Sequence, residues 1–454
     1  MYVEKIWKVL IAEGKLEKGA YLMNSLWVVN KNCGQMHFEK FGIKSTGGLW
    51  LDAMIDQAKQ FQEDKIVIVN IEKNPKLQYL KSDNVIYYSL HGEPNSKYAY
   101  RSDEVVNEWK KIIEKESPDI IELWGTEFPY GLAVMKAAPK IPVVIFVQGI
   151  LDSIARYYKA GLSERELHYA VTIRDVLTGT TISKIQKSYQ QQAEYELEMV
   201  RLAKNIIIEN HWAEAYYRRM LSDVKVFRMP ISISDSFKQV HWKEEKMIPH
   251  TIMCPAANYP IKGLHILLKA VALVKKKYTD VLLKIPGSKL VTPKTFKQHF
   301  KLSGYDRLIL SMINKYNLVD NVLYVGRLTA EQMAGQMAIS NCFTMCSAIE
   351  NHSMTLKEAM ATGVPCISSY VGGVPEYAED GKNSLLYRFE DYEVLAEHII
   401  RLFEDQELRK KLSENERASI AVLEKRPAGY KHMRRIYREC IERKGGDNEN
   451  SFFD

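Results

Sequence analysis

The chain has 454 residues, of which 46% are hydrophobic and 26% are charged. This composition excludes a disordered tail, a collagen-like fibre and a small disulfide scaffold. The formal net charge of +7, from 63 basic and 56 acidic side chains, is too small an excess to indicate a nucleic-acid partner. Because single hydrophobic cores stop growing at about 250–300 residues, the length predicts two domains.

The first residues, MYVEKIWKVLIAEGK, contain no apolar stretch long enough for a signal sequence. The longest apolar run, 141–147, is too short to cross a bilayer. Six cysteines occur without a repeating spacing, at Cys33, Cys254, Cys342, Cys346, Cys366 and Cys440. We expect reduced core thiols, no metal site, and a cytoplasmic protein whose only membrane contact would be peripheral, at the inner membrane face.

In chain order, short β-branched runs alternate with longer helical patterns, which predicts βαβ units and parallel sheets. The first half contains six predicted strands, at 25–29, 65–70, 85–89, 120–124, 143–148 and 205–209. The second half contains five, at 251–255, 281–285, 321–325, 342–346 and 365–368. The segment 151–203 is a mostly helical insertion, either a pair of surface helices or an acceptor-binding lid.

The predicted domain organisation follows from these patterns. Residues 1–235 form a Rossmann-like domain, 236–250 a charged linker without apolar periodicity, and 251–427 a second Rossmann-like domain. A helix at 428–445 carries an apolar stripe that would pack on the first domain, leaving its arginine face solvated; attraction to an anionic membrane is the alternative. Residues 446–454 are predicted to be a flexible tail.

The most informative stretch follows residue 342 and is predicted to be strand, loop, helix, strand and glycine turn. The helix is predicted over 354–362, with Ser353 as N-cap and Gly363 as its left-handed end. Ligands of open parallel sheets bind outside the carboxyl ends of the strands. The loops 347–353 and 370–375 lie at that edge, so we predict a binding site there.

Two acids of this stretch, Glu350 and Glu358, are separated by seven residues. In a strand–loop–helix context this spacing can aim both carboxylates into one crevice, where one could accept hydrogen bonds from ribose hydroxyls. The backbone N–H groups of residues 353–355 can bind a diphosphate with help from the helix dipole. Gly372 and Gly373 would let backbone approach a ligand closely.

These motifs resemble the retaining glycosyltransferases of family 4. Glu350 and Glu358 match their Glu-x7-Glu motif, and the run EAMATGVPCISSYVGGVPEYAEDGKNSLLY resembles the end of their donor domain. Lys262-Gly263 is similar to their diphosphate-binding Lys-Gly, and Thr46-Gly47-Gly48 to their donor-facing glycine loop. DIIELWGTEF and IPVVIFVQGI resemble bacterial members that build surface polysaccharides. The resemblance covers about residues 23–445.

The resemblance implies an α/β protein of the GT-B fold, with two Rossmann-like domains whose parallel sheets face a central cleft. It implies a nucleotide-diphosphate sugar donor on the second domain, a glycan or lipid-linked acceptor on the first, and neither metal nor cofactor. Lys262 would stabilise the leaving diphosphate, Glu350 would contact the transferred sugar, and Glu358 would bind ribose. The remaining donor contacts would be Gly47, Gly48, Gly263, Ser353, Met354, Thr355, Gly372, Gly373 and Gln148.

Two departures leave alternatives open. Most members carry an Arg where this chain has Ala256; Arg327 could replace it or form a surface ion pair. Many carry a sugar-contacting His where Gln148 stands, and Gln cannot act as a base. His352 is expected to be a packing residue. A non-catalytic glycosyltransferase-like partner subunit is therefore the second hypothesis and an epimerase of the same fold the third. The donor, acceptor, linkage and oligomeric state stay open.

Overall fold

The structure, a computed structural model, describes residues 23–42, 49–73, 75, 77–92, 100, 102–255, 259–290, 295 and 300–450, with side chains as far as residue 443. The described strands form two separate sheets, and apolar cores lie on both faces of each. This is the predicted α/β architecture with two Rossmann-like domains, which the structure confirms.

The first sheet has eight strands. They are β1 (Asn24–Val28), β2 (Lys65–Glu72), β3 (Tyr79–Ser82), β4 (Val85–His91), β5 (Ile120–Trp124), β6 (Val143–Phe146), β7 (Asn205–Ile208) and β8 (Lys225–Arg228). Their order is β3-β4-β2-β1-β5-β6-β7-β8, and every pair is parallel except β3 with β4. β5 is buried at every residue because a central parallel strand is covered on both faces.

Nine helices belong to this part of the described chain. They are α1 (Gly34–Phe41), α2 (Leu49–Ala58), α3 (Asp103–Glu116), α4 (Tyr130–Ala137), α5 (Leu151–Tyr157), α6 (Glu164–Tyr169), α7 (Ile173–Thr178), α8 (Ile182–Ala203) and α9 (His211–Met220). Helices α3, α4 and α9 pack on one face of the sheet around Trp109 and Tyr217, whereas α1 and α2 pack on the other around Trp27.

The second sheet has six strands, all parallel. They are β9 (Ile248–Met253), β10 (Leu282–Ile285), β11 (Val322–Tyr324), β12 (Ser340–Met345), β13 (Cys366–Ser369) and β14 (Leu385–Tyr387), in the order β11-β10-β9-β12-β13-β14. The described helices are α10 (Asp235–Gln239), α11 (Leu264–Val274), α12 (Gly304–Lys315), α13 (Ala330–Ala338), α14 (Met354–Thr362), α15 (Tyr392–Glu404), α16 (Gln406–Leu423) and α17 (Gly429–Asn450). The direction of winding reverses between β9 and β12, and such a switch point opens a crevice at the carboxyl ends of the strands.

The insertion 151–203 differs from the predicted pair of surface helices. It forms four helices, α5 to α8, and Leu162, Leu167 and Ala170 are buried in the same core as α11 and α12 of the second domain. His265 of α11 donates from Nε2 to the carbonyl oxygen of Ala160 over 2.8 Å. The insertion therefore bridges the two domains, because its apolar residues find their partners outside the first one.

The segment 236–250, which the sequence predicts to be the domain linker, packs in part on the second domain. Phe237 of α10 and Trp242 are buried in the core of the second domain, and the indole nitrogen of Trp242 donates to the carbonyl oxygen of Ser340 at 2.9 Å. Burial of each aromatic side chain removes a large apolar area from water, and this free-energy gain holds the segment on the domain despite its charged residues.

Helix α17 crosses back and packs on the first domain, where its apolar side is buried beside Trp27. Its arginine face is not simply solvated: Arg434 is 6% exposed, and its Nε lies 2.8 Å from Oδ2 of Asp64. Burial raises the pKa of Asp64 to about 6, although Arg434 and Tyr430 oppose that rise. The helix continues to Asn450, so the predicted tail is helical at 446–450; residues 451–454 lie outside the described ones.

Candidate functional site

A cavity of about 380 Å³ opens at the predicted edge of the second sheet. Its wall consists of Gln148, Cys254, Pro255, Tyr259, Lys262, Thr344, Met345, Cys346, Ser347, Glu350, Asn351, His352, Ser353, Met354 and Thr355. Thr344 and Met345 are the last residues of β12, and the other residues follow β9 or β12, the strands on either side of the switch point, except Gln148, which follows β6 of the first domain. A larger cavity, of about 840 Å³, lies at the amino ends of β6 and β7 in the first sheet and contains no predicted site residue.

Lys262 reaches the wall through a short 3₁₀ turn, Pro260–Lys262, that ends at Gly263. Gly263 has a φ of 68°, and a Cβ there would lie 1.7 Å from the carbonyl oxygen of Cys346 at the end of β12. Only glycine fits this left-handed close approach. The glycine is thus explained by the packing of the turn against β12, which carries Lys262 toward the loop that contains Glu350.

Lys262 and Glu350 form an ion pair across the cavity. The Lys262 Nζ lies 2.5 Å from Oε1 of Glu350, which also accepts a hydrogen bond from the Ser347 hydroxyl at 2.6 Å. Burial disfavours the charged form of Lys262, but Glu350 and then Tyr259 outweigh it and raise the pKa of this lysine. Lys262 is therefore a fixed cation, and the two residues predicted to be catalytic are brought together.

The helix predicted over 354–362 is observed as α14, with the predicted caps. The Ser353 hydroxyl accepts a hydrogen bond from the Leu356 N–H at 3.3 Å, and Gly363 ends the helix at a φ of 76°. Met354 and Thr355, in its first turn, line the cavity. The unpaired N–H groups of a helix start carry a partial positive charge, so this wall can bind an anion beside Lys262.

Glu358 lies one turn further along α14 and is not among the residues that line the cavity. Its side chain is half-buried, and burial raises its pKa to about 7, with Lys357 opposing the rise. The structure thus places Glu350 on the wall and Glu358 outside it, which differs from the predicted aim of both carboxylates into one crevice.

Gly372 and Gly373 lie close to other backbone atoms of the protein, where the sequence predicted a close approach to a ligand. A Cβ on Gly372 would lie 1.8 Å from the Glu350 carbonyl oxygen, and one on Gly373 would lie 2.1 Å from that of Asn351. The Gly373 N–H donates to the Glu350 carbonyl at 3.1 Å. The two predicted site loops are therefore packed backbone to backbone, and the second one holds the first in place.

The first domain also holds the loop of Glu350, through residues that the sequence did not single out. The Asn210 side-chain amide donates to the Asn351 carbonyl at 2.7 Å, and the Asn351 amide donates to the Gln148 carbonyl at 3.1 Å. The Gln148 backbone thus anchors the loop, in addition to the sugar contact predicted for its side chain. No local pattern around Asn210 or Asn351 indicates this contact.

A buried polar cluster joins the domains behind the site. Nζ of Lys357 lies 3.6 Å from Oε2 of Glu209 and donates to the Ile231 carbonyl at 3.2 Å. His352 lies 3.9 Å from the same carboxylate, and burial lowers its pKa well below the ordinary value, so its ring is neutral. In sequence Lys357 resembles a solvated helical lysine; its partners come from the other domain.

Some predicted residues are not brought to the site. Gly47, Gly48 and Ala256 lie outside the described residues. Arg327 is exposed and does not line the cavity, so it does not replace the missing Arg on this wall.

All six cysteines are buried and not cross-linked. In the described part of the chain, no cluster of three metal-ligating side chains is found, and no helix there is both long and apolar enough to cross a bilayer.

The sequence of this chain is similar to those of known glycosyltransferases. Residues 237–419 match the family described as Glycosyl transferases group 1. Over 112 residues the chain is 34% identical to N-acetyl-alpha-D-glucosaminyl L-malate synthase of Bacillus anthracis, a match that covers 25% of this chain and 29% of that protein. The chain spans about a third of the length of the curated relatives it matches.

The similar solved structures cover nearly the whole chain. Sucrose-phosphate synthase from Thermosynechococcus elongatus superposes with a TM-score of 0.66 at 16% identity, over 95% of this chain and 99% of that one. Anabaena HepE, solved in complex with UDP and glucose, gives a TM-score of 0.59 at 14% identity, over 88% of this chain and 97% of that one.

Two facing α/β domains with a crevice at the switch point define a protein of the GT-B fold. Residues 237–419, about two fifths of the chain, match the family described as Glycosyl transferases group 1. The resemblance to GT-B glycosyltransferases that was inferred from the sequence is thereby confirmed.

Proposed function

We propose that this protein is a retaining glycosyltransferase that needs no metal. It transfers a sugar from a nucleoside-diphosphate sugar to a glycan or lipid-linked glycan in surface-polysaccharide synthesis, on the cytoplasmic side. The observation that carries the proposal is the cavity wall on which Lys262 pairs with Glu350 beside the start of α14. A cation and helix-terminal N–H groups in a partly enclosed crevice are suited to a diphosphate leaving group.

Each site residue then has a role. Lys262 and the first turn of α14 stabilise the negative charge that grows on the diphosphate as the glycosidic bond breaks. Glu350, paired to Lys262 at 2.5 Å, would contact the transferred sugar once the Lys262 ammonium binds the diphosphate. Glu358, one turn beyond the residues that line the cavity, would accept hydrogen bonds from the ribose where the nucleotide extends past the wall. The acceptor attacks the face that the diphosphate leaves, and a donor phosphate oxygen takes the acceptor proton.

The first experiment is thermal unfolding with UDP, GDP, ADP, CMP and their common sugars. UDP comes first because HepE was solved with it. A ligand held at about 100 times its Kd adds roughly 2.7 kcal/mol, which raises Tm by a few degrees. We expect one nucleotide to stabilise the wild type and to lose its effect in Lys262→Ala and Glu358→Ala. Arg327→Ala is the matched control, because Arg327 is a cation away from the cavity wall.

One observation favours a second candidate, a non-catalytic glycosyltransferase-like partner subunit. Among the described residues, Lys262 is the single Lys or Arg on the cavity wall. If no nucleotide shifts Tm, or if the shift survives in Lys262→Ala, the diphosphate site of this chain does not function and the subunit hypothesis takes its place. If a nucleotide binds, the anomeric configuration of the product, read by NMR, tests retention separately.

A further inference from the structure

The insertion exposes an apolar tip at α7. We define the apolar tip as Val171, Ile173, Val176 and Leu177, whose exposed fractions are 39%, 67%, 52% and 74%. Single exposed apolar side chains are ordinary on a protein surface, but four within seven residues form a patch, and such patches mark interaction sites. Nothing in the proposed reaction uses this surface.

The two ends of α7 are fixed by local hydrogen bonds and by a left-handed glycine. Thr172 caps α7 by accepting a hydrogen bond from the Asp175 N–H at 3.2 Å, and Gly179 ends the helix at a φ of 70°. Residues 173, 176 and 177 have the i, i+3, i+4 spacing that places side chains on one helix face. The tip is therefore a single surface, held by both ends of a short helix.

The opposite side of α7 is anchored to the second domain. The buried Asp175 carboxylate accepts a hydrogen bond from the Gly304 N–H, at the start of α12, at 2.6 Å. Arg307 of α12 donates to the Tyr169 carbonyl, and its guanidinium lies 4.4 Å from the centre of the Tyr169 ring. The helix that carries the tip is thus anchored to the second domain, while the apolar side chains of the tip stay exposed.

The segments before and after the tip in sequence carry more exposed basic than acidic side chains. Arg165, Lys184 and Lys187 are exposed on α6 and the first turns of α8. Of the neighbouring acids, Asp175 is buried and Glu166 accepts hydrogen bonds from the Ser163 cap, so Glu164 is the one fully exposed acid between residues 160 and 190. Basic residues beside a small apolar surface are complementary to anionic lipid headgroups.

We propose that the apolar tip docks this protein on the surface of an anionic lipid bilayer. A stable protein interface buries about 800 Å² on each partner, far more than four partly exposed side chains can offer, whereas an interfacial membrane contact needs only a small apolar face with cations beside it. The inference goes beyond the proposed function, and it holds whether or not the chain transfers sugar.

The insertion that carries the tip also contacts a helix of the second domain that begins beside the candidate site. The insertion carries α7, and its Ala160 carbonyl accepts a hydrogen bond from His265 of α11, the helix that begins directly after Gly263. The segment that would contact the bilayer is therefore joined, through the same insertion, to the domain that carries Lys262.

The test is co-sedimentation of the full chain with vesicles of phosphatidylglycerol and phosphatidylethanolamine, compared with vesicles of phosphatidylcholine alone. We expect the wild type to bind the anionic vesicles, less strongly at high salt. The triple variant Ile173→Ser, Val176→Ser and Leu177→Ser should bind about tenfold or more weakly, because the buried apolar area sets this affinity. The matched control is Met220→Ser, Val319→Ser and Val422→Ser, three similarly exposed apolar side chains elsewhere.

Circular dichroism and light scattering accompany the binding measurement. Unchanged melting of both triple variants shows that a loss of binding is not a loss of fold, and the control should bind like the wild type. The proposal is overturned if the wild type ignores anionic vesicles, or if the two triple variants bind equally. It is also overturned if the tip instead mediates self-association, with a wild-type dimer that becomes monomeric in the tip variant and no vesicle binding. A failed nucleotide shift leaves this outcome unaffected.

Discussion

Replacement of Glu358 by Gln should make the free energy of unfolding less dependent on pH. Burial on α14 raises the pKa of Glu358 to about 7, from an ordinary value of 4.5. The folded protein therefore holds this proton more tightly than the unfolded chain, and folding takes up a proton between about pH 4.5 and 7. The wild type must lose stability as pH rises through that window, whereas Gln has no proton to lose.

The structure sets the size of this effect. Each tenfold difference in proton affinity is worth about 1.4 kcal/mol, so a pKa of about 7 corresponds to at most about 3 kcal/mol at pH 8. The Glu358 side chain is only half-buried, and water screens part of that cost. We expect Glu358→Gln to gain about 1–2 kcal/mol over the wild type between pH 5 and pH 8.

Urea unfolding at several pH values measures this difference. Other buried acids, such as Glu122 and Glu196, titrate identically in both proteins and cancel in the comparison. Glu414→Gln, which removes an exposed carboxylate on α16, is the matched control for the loss of one acid. A flat difference for Glu358→Gln, within about 0.5 kcal/mol, would show that water reaches this carboxyl and that burial does not set its pKa.

Two further predictions concern packing. Gly263→Ala should lower Tm by several degrees, because its Cβ would lie 1.7 Å from the Cys346 carbonyl oxygen. The control is Gly335→Ala, in an open helical position, which should be neutral or slightly stabilising. Equal Tm values for the two variants would contradict the reasoning. Arg434→Met should cost about 3–5 kcal/mol, since it leaves Asp64 buried without its cation. Proteolysis should then cut α17 first, and an uncut helix would refute the anchoring role of Arg434.

The second half of the fold could be predicted because its signals are local. Ser353 and Gly363 mark the two ends of α14 within eleven residues, and the strand before it is a short apolar run. The strands that were missed, β3, β8 and β14, have three or four residues each, and β3 alternates between exposed and half-buried positions. Edge strands of this kind carry little apolar periodicity for a sequence pattern to show.

The candidate site could be predicted only in part, for a different reason. Lys262 and Glu350 belong to recognisable motifs, but Asn210, Asn351 and Lys357 act through partners in the other domain. Asn210 and Asn351 are 141 positions apart, and no spacing within either segment indicates that they meet. Gly372 and Gly373 carried a real signal of close approach, although the neighbour is protein backbone.

The return of α17 to the first domain has a consequence for how the chain is made. Tyr430, Met433 and Ile436 complete a core whose other members, such as Trp27, lie near the beginning of the chain. On the ribosome, domains fold as their residues emerge, yet this one lacks part of its apolar cover until α17 is synthesised. A nascent or truncated chain without α17 displays that uncovered face to chaperones and proteases, so synthesis of this helix is itself a condition for escaping them.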